Sequence, residues 1–267
     1  MTDEPIWKKR VVYAIAGMER TPVRKDLVYR TTAAGPLTLD LYAPPDQAPR
    51  PPVVVLVAGY TEAGFEKGFG SRFKETDMVV SWAQLLAASG LATVTYTNRE
   101  PAADLEAVLQ HVGAHAESLG VDGERIGLWA TSGNVPVALS ALMHGPTRAA
   151  GPLRCAALLY GYMLDLDGAT GVAEAAQAFR FTNPNAGKSL DDLPPELPLF
   201  VVRAGQEQFP HLNESIDGFF AKALADNRPL TLVNHATGPH AFDLLDDSET
   251  SRQIIRQTLD FLKASLT

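Results

Sequence analysis

The chain has 267 residues, a formal charge of −8, 46% apolar and 20% charged residues, and a single cysteine. Such a composition buries a substantial core and excludes a disordered chain, while the acidity, with no Lys/Arg cluster against it, disfavours nucleic acid and anionic membrane as partners. One cysteine cannot form an intrachain disulfide, and the opening "MTDEPIWKKRVVYAIAGMER" has no apolar run for a signal or a membrane span, so a cytoplasmic home is expected.

In chain order, "DLVYRTT" and "LTLDLYAPP" flank the turn "AAGP" and predict an antiparallel hairpin. "PPVVVLVAGY", Pro51 to Tyr60, is the unbroken apolar run of a strand covered on both faces. "MVVSWAQLLAASG" predicts a helix closed by Gly90, and "LATVTYTNR" the next strand. From Ala102 to Leu119, Leu105, Val108, Leu109, Val112 and Ala116 share one helical face. "RIGLWATS" is a buried strand and "GNVPVALSALMHG" an apolar helix ending at Gly145. "CAALLYGY", "PLFVVRAG" and Pro229–Ala236 complete the strands. Leu212 to Leu224 and Ser248 to Leu266 supply two amphipathic helices.

A hairpin followed by regular strand and helix alternation implies one α/β domain over residues 1–267, with a mostly parallel central sheet and helices on both faces. No linker divides it, and residues 165–195 are the place for a small cap or insertion. Ligands of such sheets bind at the carboxyl ends of the strands.

Three of those ends carry chemistry. "ATSGN" places Ser132 between small residues at a strand-to-helix junction, where a serine either serves as a nucleophile on a tight turn or caps the helix. "VVRAGQEQFP" presents Glu207 just beyond its strand, and "VNHATGPHAFD" presents His240 after a Gly-Pro turn. His235 competes with His240 for the role of base, but a loop position can swing over the serine. Asp165 and Asp167, beyond "LLYGYM", compete with Glu207 for the role of acid, whereas Asp243 is close in sequence to His240 and is disfavoured.

The chain order Ser132, Glu207, His240, carried by "LWATSGN", "RAGQE" and "GPHAFD", resembles that of the α/β-hydrolases, and among them the dienelactone hydrolase-like and esterase-like serine hydrolases. The resemblance spans nearly the whole chain and implies a serine hydrolase of carboxylic esters or related small acyl compounds, working through an acyl-enzyme without metal or organic cofactor. Ser132 would attack the acyl carbon, His240 would relay the proton, and Glu207 would orient the imidazole. The backbone N–H groups of Gly133 and Tyr60 would hold the oxyanion. The sequence departs from lipases by having Ala58-Gly59-Tyr60 in place of a His-Gly-Gly-Gly loop, and from true dienelactone hydrolases by having serine in place of cysteine. A lactone or amide substrate is an alternative because the triad chemistry is shared, and a hydrolase fold that binds a ligand without turnover is an alternative because Asn134 and Glu207 stand where glycine and aspartate are commoner.

The remaining signals are plainer. His111 and His115 have metal-pair spacing but lack an intervening glutamate, so a solvated helix boundary is expected and no metal site. Cys155 belongs to the core. Phe65, Phe69 and Phe73 lie four residues apart in "TEAGFEKGFGSRFKET", either as one face of a core helix or, as the glycines suggest, on a mobile loop lining the substrate pocket.

Overall fold

Eight strands form a single sheet in a computed structural model that describes residues 4–45, 50–144 and 153–267. They are β1 (Val23–Thr32), β2 (Gly35–Tyr42), β3 (Pro52–Leu56), β4 (Ala92–Tyr96), β5 (Asp122–Thr131), β6 (Leu153–Leu159), β7 (Leu199–Gln206) and β8 (Leu230–Pro239). Their order is β1-β2-β4-β3-β5-β6-β7-β8, antiparallel between β1 and β2 and between β2 and β4, and parallel from β4 onward. The hairpin and the mostly parallel sheet are therefore as the sequence predicts. Val53 to Leu56 and every residue of β4 are buried, as required where helices cover both faces of a sheet.

The helices follow from caps and apolar stripes. Thr61 accepts from the Gly64 N–H and starts α1 (Glu62–Phe69), and Gly70, at φ +71°, ends it. This corrects the expectation of a mobile loop: Phe65 packs on Phe69 at 4.5 Å and edge-on to Phe73 at 5.4 Å, contacts that outweigh the low helix propensity of Gly64 and Gly68. Helix α2 (Asp77–Ala88) precedes Gly90 at φ +97°, and Trp82 from it packs at a tilt on Trp129 of β5 at 4.8 Å. The helix expected over 102–119 is broken at His115 into α3 (Pro101–Ala114), which begins on proline, and α4 (Ala116–Leu119).

Helix α5 (Val135–His144) leaves the end of β5; its expected stop at Gly145 lies outside the described residues. Residues 165–195 hold α6 (Gly171–Phe179), which packs on α7 (Leu212–Ala225). A short α8 (Phe242–Leu245) and the amphipathic α9 (Glu249–Ser265) complete the chain. Among the described residues no helix is long and apolar enough to cross a membrane.

Candidate active site

Ser132 stands where β5 stops and the chain turns into α5 through one helical turn, Ser132–Asn134. Its φ is +52°, a left-handed conformation that costs a non-glycine residue about 1–3 kcal/mol and persists only when the surroundings impose it. The imposing contacts are close. A side chain on Gly59 would lie 2.5 Å from the Gly133 carbonyl oxygen and 2.6 Å from Asn134 Cα, so only glycine lets the segment after β3 pass under the turn. Asn134 then ties the two together: its Oδ1 accepts the Gly59 N–H at 2.7 Å, a buried bond with a net worth of about 1 kcal/mol. The asparagine that departs from the usual pattern thus holds the segment after β3 that presents Tyr60.

The Tyr60 N–H has no partner among the described residues, and Gly133, second in its helical run, precedes the first intrahelical donor. The Tyr60 carbonyl accepts from Asn98 Nδ2 at 3.1 Å, which fixes this peptide from the far side. Two residues on, burial pushes the Glu62 carboxyl up to about 7, against the opposing hydrogen bonds from the Phe73 and Asn98 backbone; Oε1 accepts the Phe73 N–H at 3.2 Å.

Glu207 and His240 are brought together by strand register. β7 and β8 stay paired as far as Gln206 opposite Pro239, with an irregularity at Gly205, where a Cβ would lie 2.2 Å from the Ala236 carbonyl oxygen. The next residues therefore leave the sheet side by side. His240 Nδ1 donates to Glu207 Oε2 at 2.6 Å, while Glu207 Oε1 accepts the Gln208 and Phe209 N–H groups at 2.8 and 2.9 Å. Burial works to raise the Glu207 carboxyl, but the hydrogen bond from His240, its charge and the two amides outweigh it and hold the group below its ordinary range. With Nδ1 committed as donor, Nε2 is the acceptor face of the neutral ring.

Tyr160 packs against this pair. It follows β6 opposite the Thr131 end of β5, and its ring meets His240 edge-on at 4.9 Å. Phe209 packs on His240 at 4.6 Å and on Phe179 at 5.1 Å. Over the turn, Phe181 from the 165–195 segment lies near Gly133, 6.4 Å from Tyr60 and stacked on Tyr162 at 5.0 Å, and Thr182 N–H donates to the Gly59 carbonyl at 2.8 Å. Apart from Tyr60, none of these aromatic residues stood out in the sequence, although Tyr160 and Tyr162 end a readable strand.

The competing residues have other partners. Asp165 accepts the Val172 and Ala173 N–H groups at 2.8 and 2.9 Å at the start of α6, and Asp167 sits exposed in a turn at φ +54°. Asp243 is buried and accepts from Trp82 Nε1 and Tyr160 Oη, each at 2.6 Å. His235 is buried in β8, with Nε2 held by Ser251 Oγ at 2.9 Å and Asp246 Oδ2 at 3.2 Å. Phe65 packs on both Phe69 and Phe73, and Phe69 on Trp7, with no ring contact to His240 or Phe181 among the described residues. His111 and His115 stack at 4.2 Å, and no cluster of metal-binding side chains occurs among the described residues. Cys155 is buried, which pushes its thiol up to about 12.

No protein-family model matches the chain, and no curated protein does. Its shape, however, is similar to those of several solved esterases. The thermophilic esterase Est2 of the planctomycete Thermogutta terrifontis aligns with a TM-score of 0.64 at 18% identity, over 92% of this chain and 91% of that one. A bacterial heroin esterase gives 0.64 at 14% identity over 100% and 87%, and the esterase LipW of Mycobacterium marinum 0.65 at 20% over 92% and 82%. Likeness at these identities is likeness of backbone, and together with the strand order it assigns the chain the α/β-hydrolase fold.

Proposed function

We propose that the protein is a serine hydrolase that cleaves a carboxylic ester or a related small acyl compound through an acyl-enzyme, with Ser132 as nucleophile, His240 as base and Glu207 as its orienting acid. The observation that carries the reading is the 2.6 Å bond between His240 Nδ1 and Glu207 Oε2 on a loop whose histidine packs against the residue facing the Ser132 turn.

In the first half-reaction Ser132 Oγ adds to the acyl carbon while Nε2 takes its proton, and the imidazolium is stabilised by Glu207. The carbonyl oxygen gains the negative charge beside the Gly133 and Tyr60 N–H groups. Collapse of the adduct expels the alcohol, which receives the proton from Nε2. Water then repeats the sequence on the acyl-enzyme and releases the acid. The aromatic packing of Tyr60, Phe181 and Tyr162 over the turn and of Phe209 on His240 suits small apolar acyl or alcohol groups. The narrower likeness to dienelactone hydrolase-like enzymes rests on the three short motifs alone.

Esterase neighbours of the same fold support the reading, one of them solved phosphorylated by paraoxon. A second reading, a binding protein without turnover, is favoured by one observation: Ser132 Oγ makes no hydrogen bond among the described residues. A series of p-nitrophenyl esters of graded acyl length separates the two. The hydrolase reading predicts saturable turnover that disappears in Ser132→Ala; binding without turnover across the series, or activity that survives the substitution, contradicts it.

A further inference from the structure

Three residues that the proposed triad leaves out form a buried chain behind its histidine. Trp82 Nε1 of α2 and Tyr160 Oη donate to the two carboxylate oxygens of Asp243, each at 2.6 Å, and all three side chains are withdrawn from solvent. Trp82 and Asp243 are 161 positions apart, so the contact is tertiary and ties α2 to the loop that carries His240. The Tyr160 ring stands edge-on to the imidazole, with Phe209 on His240 at a similar angle.

Tyr160 is also held against its own preference. Its φ is +37°, a region that bulky side chains avoid, and its N–H is anchored to the Val202 carbonyl at 2.7 Å. Ser132 at φ +52° and Ala241 at φ +55° share this feature, so three non-glycine residues in left-handed conformations surround the reacting groups. A tyrosine kept in such a conformation, with its hydroxyl fixed by a buried carboxylate and its ring against the base, has the marks of a group that sets geometry.

We infer that Tyr160 is a positioning residue for His240, and that Asp243, itself fixed by Trp82, locks the tyrosine ring in the orientation that aims Nε2 at Ser132. The inference rests on His240 being the base. Glu207 fixes one end of the imidazole through Nδ1, but a single hydrogen bond leaves the ring free to rotate about it; an edge-on ring removes that freedom. The titratable groups around the imidazole are Glu207 after β7, Asp243 on α8, Tyr160 after β6, and Tyr162, whose hydroxyl donates to the Pro210 carbonyl at 3.0 Å behind Glu207.

The test is Tyr160→Phe, which removes the hydroxyl and keeps the ring. Lost aim is expected to lower kcat on the order of tenfold to a hundredfold while leaving KM unchanged. Asp243→Ala should produce the same loss, and the double variant should add little, because both substitutions break one device. Asp243→Asn keeps a hydrogen-bonding partner for the hydroxyl and should restore most of kcat. If Asp243→Ala does not fold, the Tyr160→Phe and Asp243→Asn pair still decides. Wild-type kcat in Tyr160→Phe, or a change confined to KM or to thermal midpoint, overturns the inference. Measuring His240→Gln alongside separates the two failures: a dead His240→Gln with an unimpaired Tyr160→Phe removes the positioning role alone, whereas an active His240→Gln removes the base and the positioning role together.

Discussion

Two histidines five residues apart, each hydrogen-bonded to a carboxylate, end in opposite circumstances. His235 lies within β8, 1% exposed, with Nε2 closed by Ser251 and Asp246 and Nδ1 buried without a partner among the described residues. Its companions belong to the start of α9, where Ser248 caps the Ser251 N–H and Asp246 accepts from both hydroxyls. His240 has left the sheet; its side chain is 18% exposed, Nδ1 is committed to Glu207, and Nε2 has no hydrogen-bond partner among the described residues. Residue types therefore do not identify a proton relay. What distinguishes the two is which ring nitrogen is tied down and whether the other can meet a ligand.

The sharpest way to break this contrast is to exchange the losses. His240→Gln should abolish ester turnover, and His235→Gln should leave kcat per folded molecule near wild type while lowering stability in urea by about 1–3 kcal/mol, the cost of leaving buried polar partners unmet. Next in size is Glu207→Gln, which keeps shape but removes the charge that stabilises the imidazolium; by analogy with the serine-protease aspartate it should cost about four orders of magnitude in kcat. Asp165→Asn should leave kcat unchanged, since that carboxylate holds α6.

Asp246 sharpens the contrast through pH. Burial works to raise its carboxyl, but the Ser251 and Ser248 hydroxyls and His235 prevail and hold it below the ordinary value. A carboxyl lowered in the folded state contributes stability above its unfolded pKa, and that stability is lost as pH falls through the folded value. Asp246→Asn should therefore lower the thermal midpoint at neutral pH and lose that deficit in acid, with kcat unaffected. Glu62 has the opposite sign. Its carboxyl is raised by burial to about 7, so its contribution is greatest below the unfolded value and is lost as pH rises through the folded one. Glu62→Gln should raise the thermal midpoint in mildly alkaline buffer and leave it unchanged in acid, the smallest effect of the set.

Much of this arrangement could be read from residues in order. The apolar runs marked β3 to β7, and the residues just past their ends included Ser132 and Glu207, because a parallel sheet places its strand ends on one side. The contacts that surround them could not be read. Asn134 to Gly59 spans 75 positions and Tyr160 to Asp243 spans 83, and periodicity carries no information on which distant residues meet. Helix α1 escaped for a related reason: Gly64 and Gly68 suggest a loop, and only the stacking of Phe65, Phe69, Phe73 and Trp7 offsets them. The split at His115 followed from a local turn within a stripe that reads as continuous.

The most direct test of the relay is the rate at which a fluorophosphonate modifies the protein, followed by intact mass and located by peptide mapping, in wild type, His240→Gln and His235→Gln. One adduct is expected, on Ser132, formed at a similar rate in wild type and His235→Gln and lost in His240→Gln. An adduct on another residue, or His240→Gln labelling as fast as wild type, would contradict it.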